Sequence, residues 1–184
     1  GAGRGMRDFI MIPLGTGVGS GIIANGQLIY GHDGFAGELG HTIIRPGGRL
    51  HWGTGMKGSL ETYTSATGIS ITAKEILDER VGEESLLRKI PHEKITSKRV
   101  YEAAIKDDPI AKEVFQITGQ ILGEALANFI MFSSPEAIIL FGGVIKAGKL
   151  LMDPTKASME KNLLPIFQNK VKLIFSELNE SDAA

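Results

Sequence analysis

The chain predicts an α/β fold, a mixed sheet with helices packed on it, and three observations carry that reading. Short apolar runs bounded by glycine and proline, Asp8 to Leu14 and Ala137 to Phe141, have the length and punctuation of strands. Val114, Ile117, Ile121, Leu122, Ala125, Leu126, Phe129 and Ile130 form an apolar stripe at helical spacing. Asn25-Gly26, set between two short apolar segments, is a strong hairpin-turn dipeptide.

Taken in order, Asp8 to Leu14 is apolar enough for a central strand, but Pro13 lacks a ladder donor and favours an edge or a bulge. After a glycine-rich turn, Ser20 to Ala24 and Gln27 to Tyr30 read as an antiparallel pair. Residues 31–58 are rich in glycine and poor in periodicity, with a short strand expected at His41 to Ile44 and an irregular loop from Arg45 to Lys57. Ser59 to Glu79 turns helical, with Ser59 as N-cap and Gly68 as a weak point. A polar connection over residues 81–97 leads to a short helix from Ser97 to Ile105. Asp108-Pro109 is an N-cap followed by proline at the first helical position, and Ser134-Pro135 ends the long helix that follows. Ala137 to Phe141 is a buried strand by its unbroken apolar run, Gly142-Gly143 turns it, a helix spans Gly148 to Leu163, and Val171 to Phe175 is a last strand. Three strands, helices, strand, helix, strand is the order of a ribonuclease-H-like lobe.

Composition narrows the function classes. With 20 Lys and Arg against 21 Asp and Glu, net charge −1 and no basic run, the chain offers no electrostatic footprint for nucleic acid. Cysteine is absent, which removes disulfides and thiolate metal sites and fits a cytoplasmic protein. No apolar run approaches the roughly 20 residues a membrane helix needs. Gly1-Ala-Gly-Arg-Gly5 opens without an initiator methionine and the chain stops at Ala184, so it reads as a fragment of a longer protein.

Chemistry concentrates in two places. Glu38 and His41 stand in Gly37-Glu-Leu-Gly-His41, and Glu61 follows twenty residues beyond that histidine. A carboxylate accepts hydroxyl hydrogen bonds and an imidazole donates one, so the three suit a polyhydroxylated ligand. Gly15-Thr16-Gly17-Val18-Gly19-Ser20-Gly21 is a turn in which backbone N–H groups can approach phosphate oxygens. As a dinucleotide fingerprint it fails, because Ser20 occupies the sixth position and a strand follows where a helix is required.

Gly15 to Gly21, Gly37 to His41, Leu60-Glu61, Ser65-Ala-Thr-Gly68 and Phe141-Gly-Gly-Val144 together resemble the ROK family of bacterial sugar kinases and sugar-sensing repressors, over essentially the whole chain. The resemblance implies the actin-like ATPase superfamily and a chain, residues 1–184, that is the C-terminal lobe of a two-lobed protein, the N-terminal lobe lying outside it. It implies glucokinase-like phosphorylation of a hexose with ATP and Mg²⁺, Glu38, His41 and Glu61 as sugar ligands, and Thr16, Gly17, Gly142 and Gly143 at ATP. It also implies a homo-oligomer, dimer or tetramer. The family's alternative role is the effector domain of a sugar-responsive repressor, whose DNA-binding segment would lie outside this lobe. A non-catalytic assembly domain, with the apolar helices at a dimer contact, is a third reading.

Two departures qualify the resemblance. Where the family carries a zinc-binding Cys-x-Cys-Gly-x-x-Gly-Cys loop, this chain has Trp52, Thr54 and Ser59 in place of the cysteines. His41 and His51 would supply only two nitrogens to a site that wants four ligands, so no structural zinc is expected. Trp52 is expected to pack into the space, and Thr54 and Ser59 to hold the loop by hydrogen bonds. The general-base aspartate of a ROK kinase is implied upstream of Gly1, so no catalytic residue is assigned here and residues 1–184 alone are expected to be inactive.

Overall fold

The computed structural model describes residues 2–176. Five strands form one sheet: β1 (Phe9–Pro13), β2 (Gly21–Ala24), β3 (Gln27–Leu28), β4 (Ala137–Phe141) and β5 (Lys172–Phe175), in the order β3-β2-β1-β4-β5. The β1–β2 and β2–β3 pairs are antiparallel, while β1–β4 and β4–β5 are parallel. The mixed sheet expected from the sequence is therefore present, and it matches a ribonuclease-H-like lobe.

The edge or bulge expected from Pro13 is a correction, because β1 is the central strand. Named pairing with β2 stops at Met11 opposite Gly21, and the Leu14–Val18 bridge keeps the same register without a bulge. Pro13 sits last in its strand, where its carbonyl accepts from the Gly19 N–H at 3.3 Å. On the β4 side the bond comes from the Leu14 N–H, to Phe141 O at 2.7 Å. The missing proline donor thus faces Gly19, in the stretch between the end of named β2 pairing at Gly21 and the isolated Leu14–Val18 bridge.

The helices are α1 (Glu61–Thr64), α2 (Ala66–Glu79), α3 (Ser97–Ala104), α4 (Pro109–Ser133) and α5 (Lys149–Lys161). The helical stretch expected to run unbroken from a Ser59 cap begins at Glu61 and breaks at Ser65. That residue is extended (ψ 167°) and caps α2 by accepting from the Gly68 N–H at 3.0 Å. A Cβ on Gly68 would lie 2.7 Å from Thr62 O, so this glycine lets α2 pass closely over the end of α1 and is no weak point. The strand expected at His41 to Ile44 is a 3-10 turn, Leu39–His41, followed by a single bridge from Ile43 to Ser59. The polar connection holds two further 3-10 turns, Leu86–Lys89 and His92–Lys94, and buries Leu87 and Ile95. Another such turn, Val144–Ala147, precedes α5.

The 25-residue α4 is the spine of the helical layer and packs on α1, α2, α3 and α5. Its cap is as read: the Asp108 carboxylate accepts from Ala111 N–H at 2.9 Å and, from the connection, Leu86 N–H at 2.6 Å. Of the predicted apolar stripe all but Ile117 are buried, and Ile117 is partly so. Ile10, Ile12 and Leu14 of the central strand and its exit join the same core, each contributing about 1.5–3 kcal/mol over an exposed position. At the end of α2, Arg80 donates to both oxygens of Glu113 in α4 (2.8 and 2.7 Å). That hydrogen bonding holds the Glu113 carboxyl below its usual range, so the link is complete at neutral pH and is lost as pH falls through the lowered value. Both groups are over a third exposed, so solvent screening leaves the link only a small share in stability. Among the described residues no helix is long and apolar enough to cross a membrane.

Close packing of α4 on α5 rests on small residues. A Cβ on Gly123 would lie 2.4 Å from Thr155 O and 2.7 Å from Met159 N, backbone atoms that cannot rotate away. Gly123→Ala gains about 1 kcal/mol of helix propensity and costs about 1–3 kcal/mol of overpacking. Net destabilisation is therefore expected in urea unfolding, opposite in sign to the same change at an exposed helical glycine.

Candidate functional site

The site is assembled by segments that meet around Val18, in the turn after β1. Gly40, in the 3-10 turn, is pressed onto this backbone: a Cβ there would fall 2.0 Å from Val18 O. On the other side the Val18 N–H donates to Glu61 Oε2 at 2.7 Å, and a Cβ on Gly17 would come within 2.7 Å of the same oxygen. Gly17 of the glycine turn and Gly40 of the Glu-x-Gly-His element are thus close-approach positions. They let the segment carrying His41 and the helix start carrying Glu61 close on one stretch of backbone.

Glu61 is nearly buried, its side chain 12% exposed, and its other oxygen lies 2.5 Å from His51 Nε2. His51 is buried, and its Nδ1 accepts from the N–H groups of Gly53 and Thr54, both at 3.0 Å. Its ring packs edge-on against His41 (centroids 5.4 Å apart) and is stacked by Trp52 (4.6 Å, 22°). His41 Nε2 is 3.9 Å from Glu38 Oε2, and His41 Nδ1 is buried without a hydrogen-bond partner. Glu38 itself is exposed. The structure therefore brings His41 and Glu61 together, with Glu38 at the outer rim. It adds His51, which sequence reasoning had counted only as a spare nitrogen. No spacing rule marks a histidine ten residues before a glutamate, because a folded-back loop creates the contact.

That loop, residues 45–58, is ordered by pairing and by arginines. The bridges Ile43–Ser59 and Leu50–Lys57 zip it, and the Gly58 carbonyl accepts from the N–H groups of Ile44 and Arg45 at 2.8 and 3.0 Å. Arg49 fastens it to the helices. Its guanidinium donates to Thr62 O (2.5 Å), Gly68 O (3.2 Å), Thr72 Oγ1 (3.0 Å) and both Glu75 oxygens (3.2 and 2.5 Å), and it lies over the Tyr63 ring. Arg45 reaches Glu124 of α4 at 2.6 Å. The expectations for the three cysteine-replacing residues are corrected in part. Trp52 is 49% exposed and lies on His51, so it does not fill an interior space. Thr54 does hold the loop, through its own N–H to His51 and its hydroxyl to Met56 N–H, while Ser59 Oγ is buried without a partner. The donor count also changes: His41, His51 and Glu61 offer ligand atoms within 4.8 Å of one another, three where two nitrogens were expected. This grouping runs against the metal-free expectation.

A second feature adjoins the first. A cavity of about 560 Å³ is lined by Gly15, Thr16, Ala66, Tyr101, Gly143 and Lys146, among others. Of the predicted nucleotide residues, Thr16 and Gly143 line it. Gly142 lies beneath, buried and at φ 103°, with Leu14 O 2.6 Å from its Cβ position, and Gly17 faces Glu61. The glycine turn is shared: Thr16 borders the cavity, and two residues on Val18 is bonded to Glu61.

Comparison with known proteins bears on this arrangement. The model of the ROK family matches residues 1–184. A glucokinase from Halalkalibacterium halodurans is 41% identical over 165 residues, covering 90% of this chain and 50% of that protein. The DNA-binding transcriptional dual regulator NagC of Escherichia coli K12 is 31% identical over 184 residues, all of this chain and 44% of the regulator. The crystal structure of a ROK family glucokinase from Streptomyces griseus in complex with glucose and AMPPNP superposes with a TM-score of 0.88 at 32% identity, covering 99% of this chain and 59% of that one. The chain spans about half the length of the curated relatives it matches.

Two measurements check the local structure. Glu61→Ala removes the acceptor of the Val18 N–H, and amide exchange at Val18 is expected to quicken about tenfold or more. Arg49→Met removes the guanidinium donor of the Thr62 carbonyl and one of the donors to Gly68 O, which keeps the Thr72 hydroxyl, and a loss of about 1–3 kcal/mol in denaturant unfolding is expected.

Proposed function

Because the chain belongs to the ROK family, we propose that it is the C-terminal lobe of a two-lobed, glucokinase-like sugar kinase that phosphorylates a hexose with ATP and Mg²⁺. Glu38, His41 and Glu61 bind the sugar, Glu61 and His41 from within and Glu38 from the rim. Thr16 and Gly143 border the nucleotide cavity, with Gly17 and Gly142 shaping the turns behind them. The observation that carries this reading is the shared glycine turn, whose Thr16 borders a cavity of nucleotide size while Val18 anchors the carboxylate next to His41. A phosphoryl donor in the cavity and a hydroxyl acceptor at Glu61 would meet across that one turn, the proximity such a transfer needs.

Within this lobe Glu61 has one lone pair per oxygen left after its bonds to His51 and Val18, enough to accept two ligand hydroxyl protons in a fixed direction. The base that takes the proton from the attacking hydroxyl is an aspartate of the other lobe, so residues 1–184 alone are inactive. The intact protein is cytoplasmic and homo-oligomeric, a dimer or tetramer. Exposed Phe132 and Met131 at the end of α4 give such a contact apolar surface.

The match of this whole chain to part of NagC favours one second reading, an effector domain in which the same sugar site alters DNA affinity through a segment outside this lobe. A panel of hexoses and N-acetylhexosamines incubated with ATP, Mg²⁺ and the intact protein separates the two. Turnover of at least one sugar, reduced about 100-fold or more in kcat/KM by Glu61→Ala, is expected. No turnover with any sugar, together with a sugar-dependent change in DNA binding, would replace the kinase by the regulator.

A further inference from the structure

The family's zinc loop poses a chemical problem that this chain answers with hydrogen bonds. None of the residues at the three cysteine positions supplies a thiolate: Trp52 has no ligand atom, Thr54 spends its N–H on His51 and its hydroxyl on Met56 N–H, and Ser59 presents a neutral hydroxyl. The remaining donor cluster is His41, whose buried Nδ1 has no hydrogen-bond partner, with His51 and Glu61, and the last two stand too close together to be separate ligands of one ion. Two ligands on one tetrahedral zinc, each at about 2.0–2.2 Å, stand about 3.4 Å apart. His51 Nε2 and Glu61 Oε1 are 2.5 Å apart, well inside that separation and short even for a hydrogen bond to a carboxylate.

The protonation pattern of His51 follows from its partners. Nδ1 accepts two backbone N–H groups, so its lone pair is committed and it carries no proton. The ring proton is then on Nε2 and points at Glu61 Oε1. Neither nitrogen is left to bind a metal, and Glu61 receives one donor on each oxygen, His51 on Oε1 and Val18 on Oε2. Trp52 covers the exposed face of the ring, while the Arg49 contacts and the two bridges provide the loop closure that a tetrahedral ion would otherwise supply.

We infer that His51 is a positioning residue that replaces the metal: in its Nε2–H tautomer it clamps Glu61, making the loop of residues 45–58 a metal-independent clasp. The clasp stands on contacts within this chain, and its effect on ligand binding rests on the sugar-site reading given above. The Gly53 and Thr54 amides set the tautomer, the tautomer sets the donor, and the donor fixes the Glu61 carboxylate against the glycine turn.

The test uses the intact, untagged protein. Elemental analysis is expected to find far less than one transition-metal ion per chain, and a strong chelator to leave the melting temperature unchanged. The ring ¹⁵N spectrum of His51 is expected to show a protonated Nε2 and an unprotonated Nδ1. Stoichiometric zinc, a chelator-induced loss of stability, or a protonated Nδ1 would overturn the clasp. In ligand binding, His51→Leu is expected to raise the hexose KM roughly tenfold or more while leaving the ATP KM unchanged, with His51→Gln, which keeps a donor, recovering most of the loss. Unchanged hexose KM in His51→Leu would overturn the positioning role. If the intact protein binds no sugar but is metal-free with the stated tautomer, the clasp stands and the sugar reading falls.

Discussion

A carboxylate held almost out of water must be surrounded by donors, and Glu61 is the point where this lobe meets that requirement. Burial of an ionised group without partners costs several kcal/mol, more than most single side chains return. Glu61 is supplied from two sides: Val18 from the turn after the central strand, His51 from the loop that folds back over the site. Each donor is itself fixed, Val18 by the approach of Gly40 and the bridge to Leu14, His51 by the amides of Gly53 and Thr54. The need to satisfy one side chain thus couples segments from β1, the 3-10 turn, the loop and α1. This explains why glycine stands at positions 17 and 40, where any larger residue would meet the carboxylate or the backbone.

The scaffold beneath is stiff for ordinary reasons. β1 lies at the centre of the sheet, its buried face joined to a core that α4 covers along much of its length. The glycine turn leaves β1, the Gly142-Gly143 turn leaves β4, and the two strands are adjacent and parallel. Both turns therefore emerge at the same end of the sheet, which is how residues 15 and 143 come to border one cavity. Ligands of open α/β sheets gather at such carboxyl ends because loops there can vary without disturbing the core.

Much of this was legible in the chain before folding. The α4 stripe, its Asp108-Pro109 start, the Asn25-Gly26 hairpin and the unbroken apolar run of β4 each carry a local signal whose physics does not depend on distant residues. The misread places share one cause. Pro13 looked like an edge residue because its lost donor matters only if a neighbour strand is still paired there. Ser59 looked like a cap, but the helix break at Ser65 is set by Gly68 passing Thr62 O. His41 to Ile44 looked like a strand until the contact of Gly40 with Val18 turned it.

At the site the division is sharper. Sequence alone determined which chemical groups were present: a Glu-x-Gly-His element, a later glutamate, two glycine turns and a loop stripped of thiols. Those follow from residue identity and short-range order. Only the tertiary structure decided that His51 would be the partner of Glu61, that Thr16 and Val18 would face different features, and that Arg49 would tie the loop to the helices. These relations depend on where a folded-back segment lands, and that is governed by packing and by the pairing of buried polar groups across tens of residues, which no local pattern encodes.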